Sequence, residues 1–329
     1  MSDSRVFGRV RAAAKILGRF VAVLLMVTFA ITILVRLLPG DPISTLFPFA
    51  TEEQRIEYRN EFGLNQNVVQ YYFQWLGKFV TGDLGYFYSS TGDGTGVLVT
   101  DVLGVALPRT ILLVLYTSLL TLSVSIPLGL YLAYRAETRI DRVIGNLLFG
   151  MASVPNFALG LILAFVVGVQ LNWLPVFGYV SMADDIGAHF KSMVMPVLSL
   201  ALGIIANFSR LLRVDTIATL KEDFVTMASS KGLSNSWILW RHVFRPSSST
   251  LLTAAALNMA GLIGGAVVVE SVFAINGFGT LVVMSLATRQ YLAIQSLIAI
   301  VAVAYMSFNL IVDLCYAIVD PRVASHRGA

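Results

Sequence analysis

The sequence predicts an all-α integral membrane protein with six transmembrane helices, and three observations lead to that fold class. Hydrophobic residues make up 57% of the chain and charged residues only 13%, whereas a soluble domain carries about 25% charged residues. Six apolar stretches are each long enough to cross a bilayer as a helix, which takes about 20 residues. The alternation that is typical of barrel strands is absent, so helices are the expected spanning elements.

The predicted spans begin close to the N-terminus and are joined by loops of very different length. The first span does not read as a cleavable signal peptide, because Arg36 and Leu37 stand where small cleavage-site residues would be needed. Pro127 and Pro155 are expected to interrupt the second and third spans. The six spans cover residues 20–38, 108–134, 143–171, 196–212, 250–273 and 292–319.

Lys and Arg residues are distributed unevenly among the loops. Most of the 23 fall in the N-terminal tail, the loop after span two, the long loop after span four and the C-terminal tail. The positive-inside rule places these segments on the cytoplasmic side, so both termini are expected to be cytoplasmic. The net charge of +4 therefore reflects topology and does not argue for a nucleic-acid partner.

The chain is expected to have an external segment and a membrane core. The predicted order is a cytoplasmic tail at 1–19, the first transmembrane helix at 20–38, an external segment at 39–107, a five-helix core at 108–320 and a cytoplasmic tail at 321–329. The external segment predicts a helix at 51–62 with Thr51 as N-cap, and a second helix at 68–80. A Gly-rich stretch around Gly92 and Gly96 lacks the GK[ST] ending of a phosphate loop and predicts a flexible loop.

The most informative stretch is the polar, basic loop at 215–246. Apolar residues recur there at helical spacing as far as Ala228. Gly232 is then expected to end the helix, because glycine tolerates a positive φ. A second short apolar run follows, with Trp237 and Trp240. The pattern predicts a helix–turn–helix knob that either docks a partner protein or lies on lipid headgroups.

Catalytic and metal-binding motifs are absent from the sequence. It contains no GxxxxGK[ST] phosphate loop, no HExxH and no GxSxG nucleophile elbow. Cys315 is the one cysteine, and His189, His242 and His326 are scattered, so no metal site is expected. The chain is therefore expected to be no enzyme and to bind no cofactor of its own, and any energy that its work requires would come from a partner.

Glu270, at the outer end of span five, is a candidate functional residue. An acid at membrane depth is rare and usually has a role, although this position is also compatible with the water interface. We expect the carboxylate to bond to backbone N–H groups of the turn at Gly277 and Gly279, or to Arg289. With Phe273, these residues form a predicted outer gate.

Several stretches, in this order, resemble the permease subunits of bacterial ABC importers for dipeptides, oligopeptides or nickel. They are RLLPGDP at 36–42; FGL at 62–64, QYYFQWL at 70–76 and GDLG at 82–85; LPRT at 107–110 and IPLG at 126–129; ASSKGL at 228–233; and ESVF at 270–273, GFG at 277–279 and DPR at 320–322. The ASSKGL stretch resembles the family's cytoplasmic EAA loop. Thr226 replaces the glutamate of the general motif, and Asn276 stands where the family typically has proline.

The resemblance implies the transmembrane domain of a type I ABC importer, in the bacterial inner membrane. Two such permeases form the pore, each inserts its loop helix into a cytoplasmic ATPase that carries ATP and Mg, and an external binding protein delivers the substrate. The resemblance implies coupling through the loop. The expected coupling residues are Phe224, Ala228, Lys231, Gly232, Leu233 and Arg241. Peptides are the first choice of substrate and nickel the second, and an ATPase-independent secondary transporter is the rival class.

Overall fold

A computed structural model describes residues 3–37, 41–88 and 95–319, and most of them are helical. The chain forms two compact units, Met1–Leu107 with Leu281–Leu310, and Pro108–Thr280 with Ile311–Ala329. The predicted tail at 321–329, the DPR stretch at 320–322 and most of the Gly-rich loop around Gly92 lie outside the described residues.

The first unit begins with a long helix, followed by short elements of the segment at 39–107. These are α1 (Asp3–Arg36), α2 (Pro42–Leu46), α3 (Glu52–Glu61), α4 (Val68–Val80), β1 (Tyr86–Tyr88) and β2 (Gly96–Leu98). The two strands pair antiparallel, with Tyr86 opposite Leu98. Thr51 caps α3 as predicted, and Gln54 completes a capping box by accepting from the Thr51 backbone N–H. The bounds of α4 are those that the sequence predicts.

Arg36, the last residue of α1, joins this helix to the turn between α3 and α4. Its two terminal nitrogens donate to the carbonyl oxygens of Gly63 and Gln66, both at 2.8 Å. The guanidinium carbon also lies 4.6 Å from the centre of the Tyr71 ring, a cation–π distance. The end of the first span is thereby fixed to the segment that follows it.

The second unit contains the remaining core helices. They are α5 (Val99–Tyr134, which enters this unit at Pro108), α6 (Arg139–Ser153), α7 (Asn156–Leu163) with a π-helical continuation (Ala164–Gln170), α8 (Ile186–Thr219), α9 (Asp223–Ser230), α10 (Asn235–Trp237) with a π-helical continuation (Ile238–Val243), α11 (Phe244–Ser247), α12 (Ser249–Gly265) and α13 (Val267–Val272). Two further helices follow in the described residues, α14 (Phe278–Ala287) and α15 (Tyr291–Val319), and the first unit holds 281–310.

The two prolines that were expected to interrupt spans behave differently. Pro155 follows α6 and is the N-cap of α7, and the two helices are bent by 99° at this break. Pro127 lies inside α5, which continues through it, so the predicted interruption there is wrong. A single proline removes one N–H donor, and neighbouring helices and Ser or Thr side chains can satisfy the freed carbonyl groups.

In the described part of the chain, three helices are long and apolar enough to cross a membrane: Gly18–Arg36 within α1, α5 and α8. The bent pair of α6 and α7 with its continuation would make a fourth. The protein is therefore a helical membrane protein. The count of six spans stays a prediction.

Helix α8 occupies the centre of the second unit and packs against α6, α7 and α12. Its buried face includes Met193, Leu200 and Leu212. Close approach to α5 is possible at Gly129, where an added Cβ would lie 2.9 Å from the carbonyl oxygen of Ser209. This central helix leads directly into the loop that the sequence singles out.

Candidate functional site

The loop after α8 folds into a small knob (residues 220–247) with an apolar interior of its own. Val225 and Ala228, on α9, pack against Ile238 and Val243 of the π-helical segment. Ala228 is thus a buried packing residue beneath the surface of α9 and does not itself face outward. The knob is a folded element of defined shape, because its two helical arms share this interior.

Gly232 forms the turn between the two arms. Helix α9 ends at Ser230, and Gly232 adopts a φ of 76°, the conformation that the sequence predicts. A Cβ added at this position would meet no atom within 4 Å. The need for glycine is therefore one of backbone conformation alone. Ser234 then starts α10 by accepting a hydrogen bond from the Trp237 backbone N–H.

The outer surface of the knob carries several large apolar side chains among polar and charged ones. Its large exposed apolar side chains are Phe224, Met227, Leu233, Trp237 and Trp240. The predicted coupling residues Lys231 and Arg241 are also exposed. Five large exposed apolar side chains on one short loop make this surface a candidate for a protein or membrane contact. Phe224 and Leu233 of the prediction lie on this surface, whereas the sequence analysis did not include Met227, Trp237 or Trp240 among the site residues.

A bidentate ion pair at the base of the knob was missed by the sequence analysis. Arg213, near the end of α8, donates from Nε and a terminal nitrogen to the two carboxylate oxygens of Asp141, at 2.7 and 2.6 Å. Asp141 is 6% exposed and also accepts from the Glu137 backbone N–H. The signal in the sequence is an acid in the first turn of a helix, between Arg139 and Arg142. The pair joins α6 to the segment that carries the knob.

Glu270, on α13, is fully buried within the second unit at 0% exposure. The protein therefore shields its carboxylate from solvent, and its depth relative to the membrane–water interface stays a prediction. Its carboxylate accepts from the Thr110 hydroxyl on one oxygen, and from the Thr280 backbone N–H at 3.0 Å on the other. The Thr280 hydroxyl lies 3.4 Å from the same oxygen. Among the described residues Glu270 has no ion-pair partner.

The turn after α13 encloses this carboxylate. A Cβ added at Gly277 would lie 2.6 Å from both the Glu270 carboxyl carbon and the Thr110 hydroxyl oxygen. A Cβ at Gly279 would lie 2.8 Å from the Cα of Val267. The predicted relationship between Glu270 and this turn is present, with Thr110 and Thr280 as the donors and not the N–H groups of the two glycines.

Arg109 holds the same turn from the start of the second span. One terminal nitrogen lies 3.3 Å from the carbonyl oxygens of both Ile275 and Asn276. Its guanidinium also faces the Tyr179 ring at 4.9 Å. Asn276 has a φ of 52°, which proline, fixed near −65°, cannot adopt. The departure from the family pattern at this position therefore goes with a turn conformation that asparagine tolerates.

The other two predicted gate residues lie elsewhere. Phe273 is buried in the core of the second unit, and its ring would lie 3.2 Å from a Cβ added at Gly160. Arg289 belongs to the first unit. The predicted contact between its guanidinium and the Glu270 carboxylate stays a prediction. In the described part of the chain, no group of three or more His, Cys, Asp or Glu residues is arranged to hold a metal ion.

Comparison with known proteins places the chain in a family. The model of the binding-protein-dependent transport system inner membrane component matches residues 125–325. The chain is 33% identical over 304 residues to the probable peptide ABC transporter permease protein y4tP of Sinorhizobium fredii (strain NBRC 101917 / NGR234), covering 92% of this chain and 96% of the relative.

Two further relatives match over almost their whole length. The oligopeptide transport system permease protein AppB of Bacillus subtilis (strain 168) is 33% identical over 306 residues, covering 92% of this chain and 96% of AppB. A putative peptide transport system permease protein of Brucella abortus (strain 2308) is 31% identical over 310 residues, covering 94% of this chain and 97% of the relative. The chain belongs to the family of binding-protein-dependent transport system inner membrane components.

Proposed function

We propose that this chain forms half of the translocation pore of an ATP-driven importer of peptides. Its partners are a second homologous permease, two cytoplasmic ABC ATPases and an external substrate-binding protein. Family membership supports the importer, and the names of y4tP and AppB favour peptides over nickel. A secondary transporter would need no ATPase and is disfavoured by the same membership.

The proposed topology has six transmembrane helices, with both termini in the cytoplasm. The three long apolar helices and the bent pair support four of the spans. The other two correspond to α12 with α13 and to α15. The proposed order is a tail at 1–19, the first helix at 20–38, an external segment at 39–107, a core at 108–320 containing the loop at 215–246, and a tail at 321–329. The concentration of Lys and Arg in alternate loops supports this orientation.

The knob is the proposed docking element for an ATPase. The single observation that carries this role is its exposed apolar surface on a separately packed base: Phe224, Leu233 and Trp237 face outward, while Ala228 and Val225 hold the two arms together. An amphipathic helix that lies in a partner's apolar groove is a common recognition mode. Lipid headgroups are the alternative contact for the same surface.

Nucleotide chemistry is assigned to the partners. The chain is proposed to be a non-catalytic subunit that binds no cofactor, with ATP and Mg held by the ATPases. The absence of a GxxxxGK[ST] stretch in the sequence supports this division. Closure of the ATPases on ATP would move the knob, and through α8 the pore.

Peptide uptake by cells that lack the chromosomal copy of the permease tests the whole proposal. Complementation with the native chain should restore uptake of di- or oligopeptides, and the tagged chain should copurify with two ATPase chains. Recovery of nickel uptake without peptide uptake would show that the substrate is nickel. Full uptake after loss of both ATPases would contradict the proposal that ATP hydrolysis drives import.

A further inference from the structure

Helix α4 (Val68–Val80) has three distinct faces, and the peptide-import function does not account for one of them. Tyr71, Tyr72 and Trp75 are buried in the first unit. Gln70, Gln74 and Lys78 form an exposed polar face. Between the two lies a stripe of exposed apolar side chains: Val69 at 49%, Phe73 at 63% and Val80 at 77% exposure.

The stripe follows helical geometry. At 100° per residue, Val69, Phe73 and Val80 fall within an arc of about 40°. The polar residues are centred roughly 120° away from the stripe around the helix axis. The apolar stripe and the polar face therefore flank the buried face of α4 on its two sides.

The buried face of α4 fixes the helix against the first span. Tyr72 donates from its hydroxyl to the Leu25 carbonyl at 3.1 Å and lies 2.9 Å from the Thr28 hydroxyl. Trp75 donates from its indole N–H to Ser296 at 3.1 Å. The hydroxyl of Tyr71 donates to Gln295, also at 3.1 Å. Two of these hydrogen bonds join α4 to α1 and two join it to α15, so α4 is held against both helices.

The contacts of Tyr72 are made to the part of α1 that is long and apolar enough to cross a bilayer. Gly18–Arg36 is the apolar stretch of α1 that can span a bilayer, and Leu25 and Thr28 lie near its middle. They are roughly 12 to 16 Å along the axis from Arg36. A tyrosine side chain reaches only part of that distance, so the axis of α4 lies below the level of Arg36. Interfacial helices lie about 5–10 Å into the boundary between headgroups and acyl chains.

We propose that α4 is an interfacial helix, whose stripe of Val69, Phe73 and Val80 inserts among the acyl chains of the bilayer. The stretch of α1 that α4 contacts carries exposed apolar residues of its own, among them Ile33 and Leu34. The buried Tyr and Trp side chains belong to the residue types that are enriched at membrane interfaces. Lys78 extends its ammonium toward the headgroups.

Lipid is favoured over a protein partner because the surface is small. Three partly exposed side chains offer much less than the about 800 Å² per partner that a stable protein interface buries. A stripe one residue wide, with the polar face on one side and the buried face on the other, suits a lipid surface. Assignment to the outer leaflet rests on the proposed topology, whereas the lipid contact does not.

The test uses single-cysteine variants carrying a nitroxide label, in the complete importer reconstituted in liposomes. The background is Cys315→Ser, which removes the one native cysteine. Labels at positions 69, 73 and 80 report the stripe, and labels at 70, 74 and 78 report the polar face. Met26, which is 69% exposed on the first span, is the lipid reference. Glu53, an exposed residue on α3, is the water reference.

The measurement is the relaxation of each label by oxygen, which partitions into lipid, relative to a water-soluble nickel chelate. We expect the stripe positions to match the Met26 label, with an oxygen-to-nickel ratio several-fold above that of the polar face. Labels relaxed chiefly by nickel would place the stripe in water. Labels protected from both reagents would show that protein covers it. Either result overturns the proposal, and any two of the three stripe positions suffice.

Discussion

The hydroxyl of Thr110 lies between the carboxylate of Glu270 and the backbone N–H of Phe278. It donates to Glu270 and accepts from Phe278 at 2.8 Å. Because its one proton is committed to the carboxylate, the hydroxyl can serve Phe278 only as an acceptor. A residue at the start of the second span thereby links α13 to the first turn of α14.

Replacement of Glu270 by Gln should weaken this link. A carboxylate accepts on both oxygens, whereas the amide NH₂ of Gln would face either the Thr110 hydroxyl or the Thr280 N–H. One buried donor is left unsatisfied, which costs about 1–3 kcal/mol. We expect a lower thermal stability of the purified importer, and a modest loss of uptake that is the same for all peptides.

The same variant tests a role in substrate binding. Uptake that is lost only for peptides with a free amino terminus would indicate a direct contact between Glu270 and substrate. Thr280→Ser is the matched control, because it keeps the hydroxyl and the backbone N–H. Native stability and uptake in both Glu270→Gln and Glu270→Ala would contradict the structural role.

Gly277→Ala should disrupt the same cluster by steric contact. Its Cβ would lie 2.6 Å from the Glu270 carboxyl carbon and the Thr110 hydroxyl oxygen, closer than packed atoms approach. Overpacking of this kind typically costs about 1–3 kcal/mol. We expect a lower melting temperature of the purified chain, which measures this cost. Gly261→Ala, on α12, is the control, since a Cβ there meets no atom within 4 Å. Equal stability of the two variants would show that the turn accommodates a Cβ at position 277.

Local elements of this fold are predictable from sequence because their determinants are adjacent. Thr51 and Gln54 cap α3 across three residues, and α4 is bounded by Asn67 as N-cap and by a polar Thr81. The positive φ of Gly232 follows from the same kind of reasoning, since a glycine between two apolar helical runs is the usual way to end a helix.

Partners that are distant in sequence are what the sequence alone could not supply. Thr110 precedes Glu270 by 160 positions, and Asp141 precedes Arg213 by 72. No spacing rule relates such residues, because their proximity depends on how whole helices pack. Hydrophobicity predicted that Glu270 needs donors, yet it could not identify which ones. The bend at Pro155 is a local signal, whereas the continuity of α5 through Pro127 depends on its neighbours.

Asp141→Asn should loosen the base of the knob. The substitution removes the charge that Arg213 meets at 2.6 and 2.7 Å. Hydrogen bonds to charged groups contribute about 1.5–3 kcal/mol when partly buried. We expect a lower melting temperature, and a smaller stimulation of ATP hydrolysis by the loaded binding protein.

A reversed pair, Asp141→Arg with Arg213→Asp, should recover part of the loss if the ion pair itself matters. Arg55→Gln is the control, because it removes an exposed ion pair with Glu52 at 3.5 Å. Surface pairs contribute about 0–1 kcal/mol. An Asp141→Asn variant that is no less stable than Arg55→Gln would argue against a role for the pair.

Phe224→Asp should prevent docking of the ATPases without unfolding the knob. The side chain is exposed on α9, so the change places a charge on the proposed contact surface and leaves the interior intact. We expect loss of ATPase copurification and of uptake, at a normal amount of protein in the membrane. Trp173→Asp is the matched control, since Trp173 is exposed in the same unit outside the knob. Copurification that is equally reduced in both variants would remove the specific role of this surface.

Gly232→Val should uncouple transport from ATP hydrolysis. Valine at a φ of 76° is strained by roughly 1–3 kcal/mol. Steric clash with neighbouring atoms does not contribute, because a Cβ at this position meets no atom within 4 Å. The strain is relieved by moving the arms of the knob relative to each other. Gly232→Asn should retain most of the uptake, since asparagine tolerates this conformation.

Gly82→Val supplies a control for strain alone, because Gly82 has a φ of 87° and equally open surroundings outside the knob. The assays are peptide uptake, ATPase copurification and the ATP hydrolysed per peptide imported. Normal uptake by Gly232→Val, at a normal ratio of ATP to peptide, would end the assignment of Gly232 to the coupling turn.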